Sequence, residues 1–290
     1  MPTAANRIGE PARWSLDDAS RTTYRRDGLV IPPYRLPPDL LGEMREALDR
    51  LLTNTRTMAP ESLVCPHIAN GARHPQAEAD RWFEYAAHPG ILDLVQDVLG
   101  PDLILWGSQV FCKPARTGRE VPWHQDGEYW PIRPLATCSA WIALDDVDPQ
   151  NGCMRYIPGS HAAGSIHPHR EAMREDRALG FELEPTAFDE TQAADDCLEA
   201  GQFSLHDVFL IHGSRHNRSD RRRAGFVVRY MPATSRYDRG IDREQMQGGV
   251  AFSLGQRPIW LLRGQDRAGN DFQAGHGEAF AGVPRYSDDL

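Results

Sequence analysis

The sequence predicts a mainly β protein with supporting helices, and three observations carry that expectation. From Leu103 onward, short apolar runs alternate with Gly- and Pro-containing turns, the texture of a β-sandwich or barrel. Before residue 100, apolar residues recur instead at helical spacing. The chain has 290 residues and is 40% apolar, enough to bury a sizeable core without disulfides or a structural metal. We expect a single domain over 1–290. Residues 1–100 form mostly helical support, 101–232 the β core, and 233–290 a C-terminal packing segment.

The elements follow in order. Ser15 and Asp18 make a Ser-x-x-Asp capping box, which should open a helix that Gly28 ends. Leu29, Val30 and Ile31 read as a short strand. Leu40, Leu41, Met44, Leu48, Leu51 and Leu52 share one helical face, giving an amphipathic helix over 38–53. Residues 54–80 are polar and irregular and read as a lid or a surface loop. Ile91, Leu92, Val95, Val98 and Leu99 mark another helix, stopped by Gly100-Pro101. Strands are expected at Leu103–Phe111, Thr137–Leu144, Cys153–Ile157, Phe203–Ile211 and Gly225–Met231. The acidic, turn-rich segment 170–200 reads as an excursion over the barrel mouth. After Pro232 periodicity is lost until Ile259–Leu262, and the tail should pack on the barrel.

Composition excludes several classes. The net charge is −9, from 41 acidic and 32 basic residues, which argues against a nucleic-acid partner. Lys113 is the one lysine and every other basic residue is arginine, a skew that fits a GC-rich genome. No apolar run of about 18 residues exists, so no membrane span is expected. The start lacks an apolar signal core. Five cysteines without CxxC spacing fit a reducing cytoplasm and argue against a cysteine zinc site.

The stretch Pro122-Trp123-His124-Gln125-Asp126-Gly127 is the most informative. In an extended strand His124 and Asp126 point to one face. With a second, distant histidine they would form a two-histidine, one-carboxylate face that leaves coordination sites open on Fe(II). A His–Asp pair alone also fits a surface turn. His212, in Phe209-Leu210-Ile211-His212-Gly213-Ser214, ends an apolar run. By itself it also fits a satisfied core histidine. Arg223 opens the next strand eleven residues later. If the two strands run antiparallel, His212 and Arg223 face one cavity. The guanidinium could then hold one end of a dicarboxylate while the metal binds the other. The run Arg221-Arg222-Arg223 does not itself say which arginine turns inward.

The stretches WHQDGEYWPIRP, NGCMRYIPGSH and IHGSRHNRSDRRR together resemble the phytanoyl-CoA dioxygenase family of Fe(II)- and 2-oxoglutarate-dependent oxygenases. The family pattern is HxD, then a distal His followed by Gly-Ser and a nearby Asn, then an Arg eleven residues beyond that His. His124, Asp126, His212, Gly213, Ser214, Asn217 and Arg223 match it. The likeness covers roughly residues 100–232, and Arg26–Ile31 also fits. It implies a double-stranded β-helix, the cupin-like jelly roll, with Fe(II) on His124, Asp126 and His212. It implies that Arg223 and Ser214 bind the far carboxylate of 2-oxoglutarate. Lys113 matches a position that can contact the same cofactor, and equally reads as a surface lysine with its head in water. Gln109 shares the face of Lys113 and could bond cofactor or substrate. Trp141 matches a tryptophan near the cofactor, and equally a core aromatic. Gly152, Pro158, Gly159 and His161 fit a structural turn. His67, His74, His167, His169, His206 and His216 are left without a role.

The resemblance implies an enzyme that oxidises a C–H bond of a small molecule with O2, releasing succinate and CO2. Asp126 keeps the carboxylate that halogenating relatives lack, so oxygenation is expected rather than halogenation. Tyr129 and Trp130 line either the pocket mouth or the barrel rim. Segments 54–86, 166–200 and 235–260 are candidate lids. Their mixed charge points to a polar metabolite or natural-product intermediate rather than a fatty one. Two other readings stay open: a non-catalytic jelly-roll ligand-binding module, and a metal enzyme on the same barrel that does not use 2-oxoglutarate. Oligomeric state is not readable.

Overall fold

The computed structural model of the chain describes residues 13–56, 58–68, 78–241, 244–247 and 250–276. Four helices precede the first long strand: α1 (Asp18–Asp27), α2 (Pro38–Asn54), α3 (Ala79–Ala86) and α4 (Pro89–Leu99). Two antiparallel sheets follow and make a jelly roll. The larger runs in the order Leu29–Val30, Phe203–Asp207, Cys138–Ala143, Arg223–Pro232, Leu103–Lys113, Trp260–Arg263. The smaller runs Ala194–Asp196, Met154–Tyr156, His212–Ser214, Val121–His124.

Side-chain alternation divides the large sheet into two faces. Ala224, Phe226, Val228 and Tyr230 of one strand, with Cys138, Ala140 and Ile142 of the next, pack under the helices against Met44, Leu48, Trp82, Phe83 and Val95. The intervening residues Arg223, Val227 and Arg229, with Trp141, face the smaller sheet across a cavity. One face is therefore an apolar core and the other carries the polar groups.

The helices follow their sequence signals, with adjustments. Gly28 ends α1 in the left-handed region at φ 79°, and its N–H bonds Tyr24 O at 2.8 Å. The cap at the other end is Asp17 rather than Ser15, because the Asp17 carboxylate accepts from Ser20 N at 2.7 Å. Leu16 N is already bonded to Asp97, which places Ser15 before the turn.

Three expectations are corrected. Residues 54–80 are not simply a loop. Leu63 and Val64 form a buried strand against Val110 and Gln109. Residues 69–77 lie outside the described set. The helix α3 was missed altogether, although Trp82 and Phe83 are each 1% exposed. Its eight residues are too few for a clear helical repeat. The run Phe203–Ile211 is not one strand. Its ladder with Cys138–Ile142 stops at Asp207, where Leu210 N turns back to Asp207 O. His212 then opens a strand of the other sheet.

Segment 170–200 is also more than an excursion. It supplies the strand Ala194–Asp196, and its Leu183 packs with Ile157 and Ile211, with Phe188 and Trp123 beside them. The tail returns as Trp260–Arg263 on the edge of the large sheet, beside Leu103–Leu105. Among the described residues, no helix is long and apolar enough to cross a membrane.

Trp82 ties α3 to the sheet, with its ring 4.9 Å from that of Phe226. Trp82→Ala should therefore cost about 3–5 kcal/mol, read from the urea midpoint at unchanged slope. A loss below about 1 kcal/mol would show that α3 is not part of the core.

Candidate metal centre

His124 ends one strand and His212 opens its antiparallel neighbour, and the two are direct partners in the ladder. Their ring centroids are 4.2 Å apart. Each ring is fixed in the same way. His124 Nδ1 donates to Pro122 O at 2.8 Å, and His212 Nδ1 donates to Leu210 O at 2.9 Å. A carbonyl only accepts, so the hydrogen sits on Nδ1 and the Nε2 lone pair is left free. The strand ends at His124, but Gln125 stays extended. Asp126 then begins a short 3-10 turn, Asp126–Tyr129, with its carboxylate 3.6 Å from His124 Nε2. The ligand atoms of His124, Asp126 and His212 all lie within 4.8 Å of one another.

The charge states suit a divalent cation. Burial and the neighbouring His124 push the His212 imidazole down to about 3, so it is neutral near pH 7. Burial alone would raise Asp126. The Arg229 guanidinium, 4.0 Å away, with the His124 and His206 rings, instead holds it well below the usual carboxylate range. Two imidazoles and one carboxylate fit a borderline metal such as Fe(II) and fill three positions of six.

Gln125, fully buried between the two ligands, anchors this turn. Its amide donates to Ser165 O and Phe209 O and accepts from His167 N, while its backbone N–H bonds His169 Nε2 at 3.0 Å. Sequence reasoning gave neither Gln125 nor His169 a role, and nothing in the local spacing marks them.

The same cavity also reaches Ser214 and Arg223. Arg223 is 2% exposed. Its Nε and Nη2 donate to Gly152 O at 3.0 and 2.7 Å, and its guanidinium lies 5.2 Å from the Trp141 ring. Burial lowers it to about 10, so it remains a cation at neutral pH. Ser214 Oγ is 3.4 Å from Arg223 Nη2. Arg223 and His212 thus face one cavity, but from opposite sheets rather than from neighbouring strands. A Cβ on Gly225 would lie 2.3 Å from Trp141, so only glycine leaves room for that ring.

The remaining residues divide. Lys113 is not a surface lysine: it is 1% exposed, and its Nζ donates to Ser214 Oγ at 2.6 Å and to Arg215 O. Burial, with Arg223 nearby, pushes its ammonium well below the usual lysine range. It stands behind Ser214 rather than on the cavity wall. Gln109 is buried and accepts from Arg229 Nη1 at 3.2 Å. Trp130 is neither rim nor mouth, being 8% exposed and packed 4.5 Å from Trp106 under the Arg229 guanidinium. Tyr129 has its backbone in the 3-10 turn, and its side chain lies outside the described residues. So does His74.

Two cavity residues were missed, His206 and Arg229. His206 Nε2 is 3.6 Å from Asp126 Oδ2, and neither ring nitrogen has a hydrogen-bond partner. The signal was alternation: Phe203 and Leu205 face the core, so Ser204 and His206 face the cavity. Arg229 shares the even spacing of Arg223 and Val227 on one strand.

A jelly roll holding a two-histidine, one-carboxylate face beside a buried arginine defines the class of non-haem metal oxygenases. Residues 24–225 match the family described as phytanoyl-CoA dioxygenase (PhyH), and the chain belongs to that family. The probable phytanoyl-CoA dioxygenase of Caenorhabditis elegans is 31% identical over 74% of this chain and 75% of its own. The peroxisomal human phytanoyl-CoA dioxygenase is 28% identical over 62% of this chain, an alignment that spans only 58% of the human protein. A probable alpha-ketoglutarate-dependent hypophosphite dioxygenase of Stutzerimonas stutzeri is 32% identical over 49% of this chain and 50% of its own. Among solved structures, the apo non-heme monooxygenase ThoJ superposes with a TM-score of 0.66 and 26% identity, covering 91% of this chain and 93% of ThoJ.

Beside the site, Asp196 is buried and accepts from Ser204 Oγ at 2.7 Å. Burial pushes its carboxyl up to about 6, although Ser204, His206 and Arg223 pull the other way. A raised folded-state pKa means that folding favours the protonated form. Stability from this group is full below the unfolded value of 3.8 and is lost as pH rises through about 6. Asp196→Asn, which cannot ionise, should therefore stabilise the protein by about 1–3 kcal/mol at pH 8 and by less at pH 5. Urea denaturation at both pH values measures this, and an equal effect at the two would sink the assignment.

Proposed function

We propose that this chain is an Fe(II)- and 2-oxoglutarate-dependent dioxygenase of the hydroxylating type. Its substrate is a small polar metabolite or natural-product intermediate, oxidised at a C–H bond with release of succinate and CO2. One observation carries the reading: the His124–Asp126–His212 cluster and the buried Arg223 share a single cavity. A metal site alone would not need a desolvated guanidinium beside it, whereas a metal-chelating dicarboxylate would.

The donor set fits the iron. His124 Nε2, His212 Nε2 and an Asp126 oxygen would hold it, and three positions stay open for the keto acid and dioxygen. When bound, iron and keto acid supply the oxygen activation and the C–H abstraction. The chain's part is to bind and orient. Gly152 O fixes one edge of the Arg223 guanidinium, and the Trp141 ring lies beside it. Lys113 Nζ donates to Ser214 Oγ, so the Ser214 hydroxyl is free to donate its own hydrogen to a carboxylate near Arg223. Asp126 adds a negative charge where a halide would need to sit, which supports oxygenation over halogenation.

The test is anaerobic mixing of the purified protein with Fe(II) and 2-oxoglutarate. A weak visible charge-transfer band of the chelated keto acid is expected. His212→Ala should abolish it. Arg223→Ala should need roughly 10- to 100-fold more 2-oxoglutarate to reach it, the loss of a charge-assisted bond. A folded wild-type protein that gives no band sinks the proposal and favours a ligand-binding role for the barrel.

A further inference from the structure

Arg229 has no part in the reading above, yet it lines the same cavity. It lies six residues along the strand from Arg223, so the two backbones are roughly 20 Å apart. The two guanidiniums therefore sit at opposite ends of the cavity. Arg223 is at the Ser214 end and Arg229 at the Asp126 end.

Arg229 is held but not satisfied. Its side chain is 12% exposed. Trp130 lies 5.3 Å beneath it and Gln109 Oε1 accepts one of its N–H groups. Its Nε has no hydrogen-bond partner, and neither has Gln109 Nε2. A buried cation with a bond unmade is costly unless something else completes it.

The charges identify what that is. Asp126 is the acidic group that bears on Arg229, while Arg257 adds a second positive charge nearby. On the function proposed above, Asp126 and the near carboxylate of the keto acid together match a divalent iron. The far carboxylate matches Arg223. Arg229 is then left beside the reaction centre without a counter-charge of its own.

We propose that Arg229, braced by Gln109 and Trp130, binds a carboxylate of the substrate, so that the substrate is an organic acid held by its anionic end close to the iron. This rests on the preceding reading, and it narrows a polar small molecule to an anionic one. Arg229 would be a specificity-determining residue.

The test uses matched probes, pentanoate against pentanamide and 3-phenylpropionate against 3-phenylpropionamide. Each is titrated by calorimetry into anaerobic protein with Fe(II) and saturating 2-oxoglutarate, which occupies Arg223. Wild-type protein should bind the acids at least about tenfold more tightly than the amides. Two variants should erase that difference. Arg229→Gln removes the cation. Gln109→Glu supplies a carboxylate at the position now 3.2 Å from Arg229 and matches its charge without touching a metal ligand.

Equal or undetectable binding of acid and amide by wild-type protein that shows the charge-transfer band overturns the proposal. So does an acid preference that persists in Gln109→Glu, because Arg229 would then serve only to orient Asp126. If Arg229→Gln fails to fold, Gln109→Glu still decides. An acid preference without any band would instead overturn the parent reading and leave the anion site standing.

Discussion

The strand Arg223–Pro232 is the constraint on which both core and site depend. It is paired on each side, with Leu103–Lys113 along its whole length and with Cys138–Ala143 over most of it. Its even-numbered residues Ala224, Phe226, Val228 and Tyr230 build the apolar core. Its odd-numbered residues Arg223, Val227 and Arg229 line the cavity. A slip of one residue would bury two arginines under the helices and turn Phe226 into the cavity. Core burial therefore enforces the register that aims the guanidiniums. Gly225 strengthens this, since only glycine clears Trp141 at that point of the ladder.

The side that carries the candidate metal ligands is built differently. Its strands have only three or four residues, too short to be rigid by pairing alone. Geometry there comes from side-chain clamps. Each histidine is tied to the carbonyl two residues before it, and Gln125 ties the intervening turn to two separate segments, at Ser165–His167 and at Phe209. Such outer contacts set the tautomer and direction of a ligand as much as the strand does. The barrel thus sets one long, well-paired sheet against a short one braced by side chains.

The legible part of the sequence follows from these two modes of construction. His124, Asp126, His212 and Arg223 stood out because their spacing is local or tied to a motif. The structure brings them together, though not by the route their spacing suggested. The run Phe203–Ile211 looked continuous because Val208–Ile211 are apolar, yet they make a turn that crosses between sheets. His206 was passed over because it sits six residues from His212 in sequence, a spacing with no meaning until the chain crosses over. Arg229 reads as an ordinary strand arginine until Asp126 is placed 4.0 Å away by another element. Gln125 looked like filler between two ligands, since nothing local reveals a hydrogen-bonding partner forty or more residues distant. Helix α3 hid because its eight residues are too few to show a helical repeat, although three of them are buried aromatics, Trp82, Phe83 and Tyr85.

Lys113 shows the electrostatic logic most sharply. The chain otherwise uses arginine for every basic position, on exposed and buried faces alike. The exception is fully buried, beside Arg223. An arginine's planar fork would have to fit around Ser214 and Arg215, whereas a lysine is a compact donor on a flexible stem. Burial, with Arg223 nearby, pushes its ammonium well below the usual lysine range. Its Nζ reaches three acceptors, Ser214 Oγ, Ser214 O and Arg215 O, the number that the three N–H bonds of an ammonium can serve. Those bonds hold it behind Ser214, and it does not line the cavity, so the cation that faces the cavity at that end is Arg223. Lys113 therefore acts through Ser214: it fixes the hydroxyl from behind and leaves its open side towards the Arg223 guanidinium.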